Sequence, residues 1–178
     1  PGEIRDALQR REEIATDAAT MVAHMADGSY TRALELLNNE ELQEARGRAL
    51  AFFRQAYLMD IDQVLDLASE ISGQSREQVK GLLQLMLTWT RDLLLYRTTA
   101  DEQYLVNVDQ RDAIQNFVER VPDARIEEMT EVLQEAVSLI ERNVHLELTM
   151  IALAQKLHHL MRGRPVGDRL YSDLTAGR

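Results

Sequence analysis

The chain has 178 residues, 45% apolar and 28% charged, and its 20 basic against 30 acidic side chains give a net charge of −10. That length supports one substantial core, or one domain with a fragment of another, and a surface this acidic disfavours direct contact with phosphate backbones or anionic lipid. Zero cysteines exclude disulfides, thiol nucleophiles and Cys-ligated zinc and fit a reducing cytoplasm, and no apolar run approaches the length of a membrane span.

With 3 Pro and 8 Gly and no alternating strand pattern, the composition predicts an all-α fold. The basic residues are 18 Arg and 2 Lys; arginine suits protein interfaces through its planar fork, and a GC-rich coding sequence produces the same bias. No basic-then-apolar leader opens the chain. A start at Pro1 without Met predicts either processing or, as the favoured reading, a piece excised from a longer protein.

In chain order, Pro1 to Gln9 reads as a helix start with Glu3 and Asp6 near the positive end of the dipole. A second helix carries Ile14, Ala18, Met21, Val22 and Met25. Asp27-Gly28-Ser29 ends it with a glycine and caps a short third helix, Tyr30 to Leu37. Asn38-Asn39 marks a boundary. From Glu40 a longer helix bears Leu42, Ala45, Ala49, Phe53 and Tyr57, and Asp60 caps the next, through Ile61, Val64, Ala68 and Ile71. Ser75, with Gln78 in capping-box spacing, opens the following helix. Thr98 to Val108 reads as a loop, Asp109 as the cap of a helix with Ile114 and Phe117 that stops at Pro122. Ala124 to Arg142 is amphipathic with one buried face, and His145 to Arg162 is the last helix. Arg164 to Arg178 reads as a mobile tail.

The helix after Ser75 is the centre of this scheme. Its apolar residues, from Val79 through Leu82, Leu83, Met86, Trp89 and Leu93 to Tyr96, span an arc of roughly 200°, about twice that of a surface helix. Such a helix needs neighbours on two sides. Lys80, Gly81, Gln84, Thr88, Arg91 and Asp92 form a narrow polar strip, with Leu95 among them, left for solvent or a partner.

Chemistry-bearing patterns are scarce. Neither Lys80 nor Lys156 follows a glycine-rich turn, so there is no P-loop. His158 and His159 are adjacent and diverge by about 100° on a helix, unlike a zinc pair, and read as surface residues. Asp60-x-Asp62 begins like a calcium loop, but Val64 and Leu65 occupy the positions needed for a ligand and a glycine. Carboxylate pairs such as Glu12-Glu13 and Glu127-Glu128 read as solvated faces. No catalytic residue, cofactor site or metal site is expected.

Two segments resemble a known family. Ala23-His24-Met25-Ala26-Asp27-Gly28-Ser29-Tyr30-Thr31-Arg32-Ala33-Leu34 is similar to the A-x-G-S-x-x-x-A-L signature in the lid of AAA+ clamp-loader subunits. Trp89-Thr90-Arg91-Asp92-Leu93-Leu94, then Asn107-Val108-Asp109, then Arg142-Asn143-Val144-His145-Leu146 resemble, in that order, the C-terminal domain of the bacterial DNA polymerase III delta-prime subunit. The resemblance implies a small helical lid remnant over residues 1–38, a clamp-loader collar-like helical bundle for oligomerisation over 39–163, and the tail over 164–178. It further implies a non-catalytic, cytoplasmic replication protein whose partners are other clamp-loader subunits, with the sliding clamp and primed DNA met only through the complex and no membrane involved. Nucleotide-binding relatives place a sensor arginine three residues after the lid glycine; here that position is Thr31, and Arg32 follows it, which fits delta-prime. Candidate subunit contacts are Trp89, Arg91, Leu95, Leu148 and Ile151. The alternative is a helical small-ligand-binding or regulatory domain with a pocket near Trp89.

Overall fold

The computed structural model of the chain describes residues 2–12, 14–26, 28–167 and 170. Among them every regular element is helical, as the composition predicts: α1 (Gly2–Glu12), α2 (Thr16–Met25), α3 (Tyr30–Leu37), α4 (Glu40–Leu58), α5 (Ile61–Ser72), α6 (Arg76–Thr99), α7 (Arg111–Arg120), α8 (Ile126–Glu141) and α9 (Leu146–Met161). Short 3-10 turns at Glu102–Tyr104 and Val108–Gln110 replace the open loop expected after Thr98.

Helices α3 to α6 start at side-chain caps that satisfy otherwise orphaned backbone N–H groups. The Ser29 hydroxyl accepts from the Arg32 N–H at 3.3 Å, and the Asp60 carboxylate accepts from the Gln63 N–H at 3.4 Å. Ser75 and Gln78 close a reciprocal capping box. Asn39, read from sequence only as a boundary residue, caps α4 by accepting from the Leu42 N–H at 2.9 Å. Gly28 takes φ 84°, the left-handed conformation that lets α2 turn into α3 within a few residues. Asp109 departs from expectation: Gln110 precedes α7 without a side-chain cap, and the Asp109 carboxylate is turned away to an arginine described below.

The apolar residues form two clusters. Leu8, Ala19, Val22, Ala23 and Ala33 make a small core for α1 to α3, and a larger one joins α4 to α9. Val108 packs against both, and Arg111 pairs with Asp17 at 3.3 Å. In the larger cluster α6 is flanked by α4, α7 and α8, while α9 packs on α4, α5 and α8. Val79, Leu82, Leu83, Met86, Trp89 and Leu93 are buried there, and Leu85, Leu87, Leu94 and Tyr96 pack around them. The wide apolar arc of α6 is therefore covered within the chain.

Helix C-termini are closed by long polar side chains reaching across from elsewhere in the bundle. The negative end of the dipole and its unpaired carbonyls favour such donors. Arg76 Nη1 donates to the carbonyls of Ile140 and Val144 at the end of α8, at 3.1 and 3.3 Å. His158 Nδ1 lies 3.0 Å from the Ala56 carbonyl and 3.2 Å from that of Tyr57, where α4 ends. Arg162 donates to the same Tyr57 oxygen and sits over the Tyr57 ring. His158 and His159 are half-buried rather than surface residues, and His158 lies against the end of α4, whose last turn has no basic residue of its own.

The segment after α9 also differs from a mobile tail as far as it is described. The Arg164 N–H donates to the His159 carbonyl at 2.9 Å, Val166 packs on the larger cluster, and Leu170 is buried in it. The buried Lys156 donates to the Gly167 carbonyl, and Glu135 accepts from the Leu170 N–H at 2.6 Å. The rest of the expected tail, 168–169 and 171–178, lies outside the described residues.

Arg97 Nη2 donates to both carboxylate oxygens of Glu127 at 2.8 Å, and its Nη1 donates to the Ala124 carbonyl at 2.7 Å. A backbone N–H in the first turn of α8, and next the Arg97 guanidinium, hold the Glu127 carboxyl below its usual range. A depressed carboxylate stabilises the fold above the ordinary carboxylate pKa, and the contribution disappears as pH falls through the depressed value. Glu127→Gln should therefore lower the melting temperature relative to the parent at pH 7, with the gap closing as pH falls below the ordinary carboxylate range. Paired thermal melts across that range check it, and a gap independent of pH contradicts it.

Candidate functional site

The most polar place inside the bundle is built around Asp92, on α6, whose side chain is entirely buried. An ionised carboxylate there must be matched by donors, or its desolvation would outweigh the packing around it. The donors come from the segment between the two 3-10 turns. Asp92 accepts from the N–H of Val106 at 3.1 Å and from the N–H and side-chain amide of Asn107, both at 2.8 Å. The exposed Arg91 guanidinium adds an ion pair at 3.2 Å. Asn107 passes the connection on, because its Oδ1 accepts from Arg46 Nη2 at 3.0 Å.

Arg46 reaches this point from α4. Its guanidinium also grips Asp109 with two bonds of 2.7 and 2.9 Å, a planar fork on a carboxylate. Asp92, Asn107, Arg46 and Asp109 thus form one chain of charge-assisted bonds joining α6, the connecting loop and α4. Arg46 and Asn107 were not singled out in the sequence, and Asp92, assigned to the solvent-facing strip, is covered by the loop. One signal was present: Arg46 lies four residues after Leu42 and three before Ala49, on the buried stripe of α4, where an unpaired charge could not stay. Its partners, more than sixty residues away, carry no local mark.

Beside this network, between α4 and α7, lies a groove of about 470 Å³ lined by Leu50, Phe53, Tyr57, Trp89, Phe117 and Val121 among others. Its aromatic rings interlock: Phe53 and Trp89 are 4.9 Å apart between centroids, and Phe117 meets Trp89 edge-on at 5.6 Å. Arg54 and Arg120 stand on the exposed rim.

The sequence-derived contact residues are dispersed. Trp89 is 5% exposed, and its ring belongs to the core and the groove wall rather than to an open face. Arg91 is exposed and Leu95 half-buried on α6; on α9 Leu148 is 55% exposed and Ile151 is half-buried against the core. α4 and α8 each pack on both α6 and α9, so these five residues are carried on two helices bridged by others. Among the described residues no three His, Asp or Glu side chains converge as a metal site, and no helix is long and apolar enough to cross a membrane.

Fold and site together define an all-α domain whose buried charges are engaged with other parts of the same chain. A family model described as "DNA polymerase III, delta subunit, C terminal" matches residues 40–159, from the first residue of α4 into the last turn of α9, and the chain belongs to that family. No curated protein and no solved structure matches it significantly.

The network makes a sharp stability test. Asp92→Ala strips two buried donors on Asn107 and the part-buried Val106 N–H of their acceptor and should cost about 3–5 kcal/mol. Arg46→Met and Asp109→Asn, alone and combined, should show a coupling of about 1–3 kcal/mol in a double-mutant cycle. Urea denaturation reads both; a loss below about 1 kcal/mol for Asp92→Ala would show that the loop does not depend on it.

Proposed function

We propose that the chain is an assembly domain of a DNA polymerase III clamp loader and does no bond-making chemistry itself. The observation that carries this reading is the family match across α4 to α9. On this reading residues 39–163 are the collar that associates with sister subunits, and residues 1–38 are the rear part of an AAA+ lid. The separate small core of α1 to α3 favours that division. We further assign the chain to the delta-prime subunit. Support comes from the Gly28-Ser29 turn and from Thr31 at the position where nucleotide-binding relatives carry the sensor arginine. The setting would be cytoplasmic, with the sliding clamp and primed DNA reached only through the other subunits.

The experiment is direct. The purified chain, mixed with the remaining clamp-loader subunits of its own source, should co-elute with them in size-exclusion chromatography. Well-folded protein that elutes alone at concentrations of about 10 μM would overturn the proposal, since a stable interface buries upwards of about 1,000 Å² and holds together there. The groove beside Trp89 favours a second reading, a small-ligand site. A metabolite that raises the melting temperature by several degrees through binding to the native state would support it.

A further inference from the structure

The groove between α4 and α7 differs from the other large concavity in its balance of charge. The other, about 380 Å³ between α4 and α6, is lined by Glu41, Glu44, Gln74 and Gln78, and its one arginine, Arg48, is bound to Glu70 at 3.0 Å. The α4–α7 groove has no acidic residue in its wall. Its two rim cations, Arg54 and Arg120, make no ion pair or side-chain hydrogen bond among the described residues. In a chain with 30 acids against 20 bases, this concave site holds two arginines that no carboxylate pairs with among the described residues. Apolar and aromatic walls between two such cations match a bulky apolar side chain flanked by carboxylates.

The footprint continues along α4. Arg54, Tyr57 and Leu58 are spaced to share one helix face, and Leu58 is 60% exposed; just beyond the helix end Ile61 is 64% exposed. Leu58 and Ile61 follow the groove residue Tyr57 in the chain, so exposed apolar side chains continue past the cavity, which suits a helix more than a single small molecule.

We infer that the Arg54–Arg120 groove seats a helix of a neighbouring clamp-loader subunit, one that presents a bulky apolar side chain between carboxylates. The inference rests on the assembly reading above and names the surface through which it operates. The apolar side chain enters against Phe53, Trp89 and Phe117, and the carboxylates pair with Arg54 and Arg120.

The test compares three forms of the full chain: the parent, Arg54→Glu/Arg120→Glu, and a charge-matched control, Arg142→Glu/Arg164→Glu. The control pair is also exposed and lies away from the groove. Each is checked for an unchanged far-ultraviolet circular dichroism spectrum and then titrated, fluorescently labelled, with the other clamp-loader subunits. The parent and control should bind alike, and the groove variant should bind at least tenfold more weakly. Equal binding by all three overturns the inference while leaving the assembly reading intact. Failure of the folded parent to bind overturns both. Self-association of the chain alone that is lost in the groove variant makes a second copy the occupant and also overturns it.

Discussion

One buried carboxylate sets the terms for much of this fold. The Asp92 side chain has no solvent-accessible surface, so its charge is tolerable only while the Val106 and Asn107 donors are in place. Those donors lie on irregular backbone, which has no ladder of its own to hold it. The dependence is therefore mutual: the loop satisfies the carboxylate, and the carboxylate gives the loop its conformation. Leu105, buried beside them, adds apolar anchorage to the same few residues. Through Asn107 the constraint reaches Arg46 and so fixes α4 against α6 by directed bonds, where apolar packing alone would permit sliding.

The resemblance residues of the middle of the chain acquire a physical meaning here. Arg91-Asp92 and Asn107-Val108-Asp109 look like two separate short patterns in sequence, yet they are two halves of one bonded unit. Asp92 holds Asn107, and Arg46 holds Asn107 and Asp109 together. Val108, between those two polar residues, packs on both apolar clusters. The segment that satisfies Asp92 is thus also a point of contact between α1 to α3 and the larger bundle. Assembly of the larger core and its orientation toward the smaller one are coupled at these residues.

What could be read from the sequence was local. Caps at Ser29, Asp60 and Ser75 work over three residues, so their partners are visible a few letters away, and helix positions followed from them. The apolar arc of α6 was legible as an amount of buried surface, while its coverage was not, because periodicity says that a face is buried and not which helices bury it. Asp109 was misread as a cap because a carboxylate just before a helix satisfies the local rule, and the competing Arg46 lies far away in sequence. His158 was misread for the same reason: its role depends on where α4 ends, a hundred residues earlier. Each error replaced a long-range polar partner with a local one or with solvent.

The arginine bias shows the same distinction between what a chain binds within itself and what it leaves for others. Arg46, Arg76, Arg97 and Arg162 each reach a different helix or loop, and two of them, Arg76 and Arg162, close carbonyls that helix C-termini leave open. A guanidinium on a long stem is suited to this, since it can cross a helix-helix gap and donate in a plane at its far side. Arg54 and Arg120 have the same reach but meet no carboxylate or carbonyl among the described residues, and they flank the most aromatic concavity of the bundle. The cations that bind internally lock helices together through their ends. Those without a partner among the described residues are the ones the proposed docking surface uses, and an acidic protein has reason to keep its own carboxylates away from such a surface.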